Sequence, residues 1–145
     1  MKTKANARWE GTLKEGKGNM KLPSGTYEGP YSFTSRFEKG AGRDTGTNPE
    51  ELIAAAHAGC YSMALSGQLV AAGFTPDFIE TEAEIGMEKT DSGMVIAKSH
   101  LVSRVKAPGI DEAAFQEAAE AAKSGCPVSK ALSGLEITLE AKLVS

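Results

Sequence analysis

Ile79-Glu80-Thr81-Glu82-Ala83-Glu84-Ile85-Gly86-Met87-Glu88 alternates with period two. Ile79, Thr81, Ala83, Ile85 and Met87 point one way, and Glu80, Glu82, Glu84 and Glu88 point the other. This is the pattern of a strand with one buried and one solvated face. Asp91-Ser92-Gly93 then suits a three-residue hairpin turn, with Gly93 in the left-handed position. Pairing Thr90 with Met94 sets Glu84 opposite His100 and Glu80 opposite Arg104, with Lys98 diagonal to Glu84. Opposite charges across the outer face favour that register.

Upstream of the hairpin, Asn48-Pro49-Glu50-Glu51 is a helix start. Asn48 is the cap, Pro49 suits the first helical position, and Glu51 can close a capping box. The predicted helix runs to about Ala72, where Gly73 stops it. From Leu52 to Pro76 there is no Asp, Glu, Lys or Arg, a stretch long enough for a membrane span. Yet it contains His57, Ser62, Ser66 and Gln68, is alanine-rich, and lacks flanking aromatic belts, so a helix buried within protein is expected. The region from about Ala5 to Phe37 reads as short strands between Gly and Pro turns, and Lys39–Thr47 as a flexible loop.

Downstream, Asp111 caps a second helix, with Ile110 and Phe115 placed as a hydrophobic staple. That helix ends near Lys123 and Gly125. Cys126-Pro127 opens a short third helix, and Gly134 releases a last strand with Ile137, Leu139, Ala141 and Leu143 on one face. Helices set apart from antiparallel sheets make the expected class α+β, with a long buried central helix. That helix is apolar nearly all round, and one sheet face cannot cover it, so a homodimer is a physical expectation.

With 145 residues, one domain spanning 1–145 is expected. Apolar content of 41%, charged content of 24% and a net charge of −3 are those of an ordinary globular chain. Lys and Arg are scattered from Lys2 to Lys142, so no basic stripe invites nucleic acid. The first eight residues lack the apolar core of a secretory signal, which makes a reducing cytoplasm the default. Two cysteines there argue against a disulfide scaffold and leave redox, catalytic or buried roles.

Cys60 sits inside the long helix, where amides are already bonded and cannot stabilise a thiolate; another positive group would be needed. Cys126 stands near a helix N-terminus, which favours its thiolate, so elementary physics ranks it the more acidic. Glu50 in the first helical turn is accounted for by the helix dipole. His57, three residues before Cys60, reads as a core or interface histidine, with a Cys–His pair as the other reading. No CxxC or HExxH zinc motif, phosphate loop or dinucleotide fingerprint occurs.

Thr47-Asn48-Pro49-Glu50-Glu51-Leu52-Ile53-Ala54-Ala55-Ala56-His57-Ala58-Gly59-Cys60 resembles the first-cysteine motif of the OsmC/Ohr family, and Ser124-Gly125-Cys126-Pro127-Val128-Ser129-Lys130 resembles the second. Arg8-Trp9-Glu10-Gly11 and Tyr31–Glu38 fit as well, so the likeness spans nearly the whole chain. With the Trp-Glu-Gly opening and the His before the first cysteine, the chain resembles the OsmC side of the family more than the Ohr branch.

The resemblance implies an intertwined homodimer with active sites between subunits, acting as a peroxidase on organic hydroperoxides and less well on hydrogen peroxide. It implies Cys60 as the peroxidatic cysteine that becomes a sulfenic acid, and Cys126 as the resolving cysteine that closes a disulfide. Arg36 matches the arginine that supports the thiolate, and Glu50 the carboxylate that holds that arginine. Arg43 is a second guanidinium nearby, but Ser35-Arg36-Phe37 is what fits the motif. No metal, haem or flavin is implied; the reductant is an external dithiol, in Ohr members typically a lipoyl group. Two other readings of the residues stand beside this one. The first is a Cys–His hydrolase or acyltransferase built on Cys60 and His57. The second is a non-catalytic stress-related protein holding a ligand in an apolar pocket.

Overall fold

A computed structural model describes the whole chain, Met1–Ser145. Its contacts divide it into two compact units, Met1–Leu52 and Ile53–Ser145.

In the first unit, β1 (Asn6–Glu10), β2 (Lys17–Leu22) and β3 (Tyr27–Tyr31) form an antiparallel meander in the order β1-β2-β3. The expected strand character stops at Tyr31, short of Phe37. Thr34–Glu38 is instead one turn of π-helix, closed by the Lys39 N–H donating to the Thr34 carbonyl at 2.9 Å. The Ser32 N–H donates to Ser35 Oγ at 2.9 Å, and the Ser35 N–H donates to Ser32 Oγ at 3.1 Å. Such local bonds offer the backbone an alternative to a strand ladder. The loop that follows is pinned, not loose. Thr47 N–H donates to the Pro30 carbonyl at 2.9 Å, and Ser35 Oγ donates to the Thr47 carbonyl at 2.7 Å. Gly46 makes this approach feasible: its φ is +92°, and a Cβ there would lie 2.3 Å from the Pro30 oxygen.

Helix α1 (Pro49–Ala71) starts at the end of the first unit and belongs to the second from Ile53 on. Its cap forms as expected, with the Glu51 N–H donating to Asn48 Oδ1 at 2.8 Å. The other half of the capping box does not. The Glu51 carboxylate accepts from Thr47 Oγ1 at 3.4 Å, while Asn48 Nδ2 donates to the Ser35 carbonyl. Gly73, at φ +94°, ends the helix. No helix of the structure is long and apolar enough to cross a membrane.

The second unit holds a three-stranded sheet, β4 (Phe78–Thr90), β5 (Gly93–Lys106) and β6 (Glu136–Leu143), with β5 in the middle. Glu84 pairs with His100 and Glu80 with Arg104, the predicted register, but by another route. Thr90 pairs with Gly93, leaving a two-residue turn, and an irregularity between Gly86 and Met87 absorbs Ala97 as an extra residue. The short turn and the bulge cancel beyond it. Arg104 and Glu80 form an ion pair; His100 turns away from Glu84 to Thr138 and Glu140 on β6.

After β5 come α2 (Glu112–Gly125) and α3 (Pro127–Ala131). Asp111 caps α2, accepting from the Ala114 N–H at 2.8 Å, and both staple residues, Ile110 and Phe115, are buried. The chain thereby crosses over through helices, so β6 joins β5 in parallel and the sheet is mixed rather than antiparallel throughout. Tyr61, Leu65 and Leu69 of α1 meet Leu101 and Val105 of β5 and Phe115, Ala119 and Ala122 of α2 in one core. The opposite flank of α1 is open: Met63 is 79% exposed and Val70 56%.

Candidate active site

The sequence-nominated residues fall into two clusters, one in each unit. In the second unit, α1 carries Cys60, and the start of α3 carries Cys126. Both thiols are free, and their Sγ atoms lie 2.8 Å apart. A disulfide measures about 2.0 Å. Once an oxidant has taken two electrons from the pair, only a small approach is needed for a bond.

The two sulfurs differ in exposure. Cys126 is fully buried and Cys60 only partly so. They differ in acidity too. Burial works against a Cys126 thiolate, but hydrogen bonds from Cys60, from the Ser129 N–H and hydroxyl and from the Val128 N–H outweigh it and lower its pKa. The Ser129 N–H stands 3.5 Å from Cys126 Sγ. Burial raises the Cys60 pKa, and its hydrogen bond to Cys126 raises it further. Within this unit Cys126 is the more acidic of the two thiols, in keeping with its place ahead of α3.

His57 does not pair with Cys60. It is fully buried, with Nδ1 2.6 Å from Ser99 Oγ and Nε2 2.8 Å from Ser129 Oγ. Burial lowers its pKa and keeps the imidazole neutral. With both ring nitrogens engaged by serines, the arrangement of a Cys–His hydrolase is absent. Ser99 and Ser129 were not nominated from sequence. The signal for Ser129 lay in its spacing, three residues past Cys126, where an N-cap side chain meets a backbone N–H.

In the first unit, the π-turn carries Arg36 and the first turn of α1 carries Glu50. Arg36 Nε and NH2 both donate to Glu50 Oε1, at 3.0 and 2.8 Å. Glu50 is buried at 7% exposure, and its Oε2 has no partner. Arg36 also stands 5.0 Å from the Phe37 ring centroid. With Trp9, Leu13, Tyr31, Phe33 and Phe37 it lines an apolar cavity of about 230 Å³. Arg43 is exposed and takes no part in this pair.

Residues 42–140 match the family model described as OsmC-like protein. The chain belongs to the OsmC-like family. This OsmC-like chain is 50% identical over 143 residues to "Peroxiredoxin OsmC" of Escherichia coli, covering 98% of this chain and 96% of that protein. It is 32% identical over 108 residues to the "Organic hydroperoxide resistance protein" of Xanthomonas axonopodis pv. citri, 73% of each chain. The crystal structure of the organic hydroperoxide resistance protein OhrB of Bacillus subtilis superposes with a TM-score of 0.68 at 26% identity, over 96% of this chain and 98% of that one. An organic hydroperoxide resistance protein from Elizabethkingia anophelis shares the fold, with a TM-score of 0.73 at 23% identity, covering 99% of each chain. The α+β class read from the sequence is thus the OsmC/Ohr fold.

Proposed function

We propose that this chain is a thiol peroxidase that reduces organic hydroperoxides, and hydrogen peroxide less well, by a two-cysteine cycle. The observation that carries the reading is the approach of two free sulfurs to 2.8 Å across 66 positions of sequence. Family membership and the names of the Escherichia coli and Xanthomonas relatives support it.

In this reading Cys60 attacks, because a peroxide can reach it and cannot reach Cys126. The Cys60 thiolate displaces the alkoxide from the O–O bond and becomes a sulfenic acid; the alkoxide takes a proton and leaves as the alcohol. Cys126 condenses with the sulfenic acid, releasing water and closing the disulfide. Cys60 needs a positive group, since burial and Cys126 both raise its pKa. Arg36, aimed by Glu50, is our candidate for it. The aromatic cavity that Arg36 lines suits the organic part of the substrate. An external dithiol, of which a lipoyl group is one, then reduces the disulfide, and no bound cofactor takes part. Two free thiols suit a reducing cytoplasm.

The working species is a homodimer in this reading. Ala56, Gly59, Met63, Gly67 and Val70 are exposed along one helical stripe of α1, an apolar surface that a second copy would cover. Sedimentation equilibrium giving a monomer would reject this part.

The deciding experiment is mass spectrometry after one equivalent of cumene hydroperoxide. A Cys60–Cys126 bond is expected in the wild type, with no peroxide consumed by Cys60→Ser. Thiols left titratable would favour a non-catalytic binding protein.

A further inference from the structure

Trp9, Gly18 and Tyr31 stand opposite one another on β1, β2 and β3, in one cross-strand row of the meander. A Cβ at Gly18 would run into both rings, ending 2.7 Å from Trp9 Cε3. Glycine there lets the two rings close over the sheet, with their centroids 5.5 Å apart. Phe33 and Phe37 of the π-turn form a second tilted pair at 5.1 Å. The two pairs are walls of the cavity of about 230 Å³ that Arg36 also lines.

Leu13 is the lining residue that the fold does not explain. It is 65% exposed and takes no part in the core. An exposed leucine by itself needs no account, but this one is held in place. The Gly16 N–H donates to the Thr12 carbonyl at 2.8 Å, and the Glu15 N–H to Thr12 Oγ1 at 3.2 Å. The Trp9 indole N–H donates to the Gly11 carbonyl at 3.2 Å. The β1–β2 turn is thus fastened to a wall of the cavity, and Leu13 forms a fixed apolar rim.

Size and lining select the guest. An apolar cavity of roughly 150 Å³ takes one benzene, and pockets for drug-sized molecules begin at roughly 300 Å³. About 230 Å³ falls between, with room for one ring carrying a short branch but not for a long acyl chain. Tilted aromatic walls favour a flat guest through edge-to-face and offset contacts. Arg36 marks the polar end. Of its five N–H groups, two go to Glu50 Oε1, and the others can meet an oxygen.

We propose that Leu13 is a specificity-determining residue that, with the two aromatic pairs, fits this cavity to compact aryl hydroperoxides. The ring of the substrate lies between the aromatic walls, Leu13 covers its outer edge, and its oxygens face Arg36. A longer chain runs past Leu13 into water. This specificity rests on the peroxidase reading, whereas binding of the organic group stands on the cavity alone.

Trp9 is the only tryptophan of the chain, so its fluorescence reports occupancy of the cavity without any peroxide chemistry. Cumyl alcohol, the product of cumene hydroperoxide, is titrated into the whole protein, with n-octanol as the linear comparison. A saturable change is expected, tighter for cumyl alcohol than for n-octanol. Leu13→Ala should weaken it about tenfold, the scale of removing a few apolar carbons from a pocket. Leu13→Met, of similar volume, should restore most of the affinity. In turnover, the ratio of kcat/KM for cumene hydroperoxide to that for hydrogen peroxide should fall about tenfold in Leu13→Ala, carried by KM. The absence of a saturable signal, tighter binding of n-octanol, or wild-type affinity in Leu13→Ala overturns the proposal. A wild type inert to peroxide would sink the peroxidase reading, and the alcohol titration would still judge the cavity and Leu13.

Discussion

Cys60 Sγ and Cys126 Sγ face each other at 2.8 Å, one thiol partly open to solvent and the other sealed beneath it. The exposed sulfur is the one whose pKa is raised, and the sealed sulfur the one whose pKa is lowered. Accessibility and acidity are therefore divided between the two residues. Cys126→Ser should stop the cycle after one event. One equivalent of peroxide is consumed, and a sulfenic acid at Cys60 is captured by dimedone and seen by mass spectrometry. Dimedone labelling at residue 126 in Cys60→Ser would reverse the assignment.

Glu50 accepts both of its hydrogen bonds through one oxygen, Oε1, from Arg36 Nε and NH2. Glu50→Gln keeps the shape and removes the charge that aims the guanidinium. Charge-assisted bonds of this kind are worth about 1.5–3 kcal/mol, so single-turnover oxidation of Cys60 should slow by about tenfold or more. An unchanged rate would take the Arg36–Glu50 pair out of the oxidation step.

His57 sets part of the pH dependence of stability. Its folded pKa lies below the ordinary value of 6.5 because burial disfavours the imidazolium. The unfolded chain therefore binds a proton that the folded chain does not. The contribution is full above about pH 6.5 and is lost as pH falls toward the folded pKa. Urea midpoints measured at about pH 7.5 and 5.5 should differ more in the wild type than in His57→Gln. An equal difference in both would remove His57 as the cause.

Tyr61 lies wholly in the core with its hydroxyl unpartnered, and burial, with Glu120 adding to it, pushes the phenol well above its ordinary range. Deleting an unsatisfied buried hydroxyl removes a penalty of about 1–3 kcal/mol. Tyr61→Phe is thus expected to be neutral or stabilising in thermal melts. Leu65→Ala, in the same core, should cost about 2–5 kcal/mol. A strongly destabilised Tyr61→Phe would mean the hydroxyl has a partner in the assembled protein.

Much of the helix and hairpin framework was legible from its residues because the deciding forces are local. Alternation along Ile79–Met87 set the buried face, Asn48 and Asp111 marked helix starts, and Gly73 a stop. The residue types at Cys60, Cys126, Arg36 and Glu50, with their spacing, were enough to mark a family. Where two local solutions lie close in energy, reading failed. A three-residue turn and a two-residue turn with a bulge give the same distal register, and Ser32 and Ser35 turned a nominal strand into a π-turn.

What only tertiary structure decided is which distant groups meet. That the last strand runs parallel depends on the helical crossover, which no residue of Glu136–Leu143 reports. That His57 bonds Ser99 and Ser129, 42 and 72 positions away, depends on where α1 lies against β5 and α3. Period and capping act over a few residues and can be read along a line. Proximity between remote side chains is set by the packing of whole elements, and so is the environment that ranks two otherwise identical thiols.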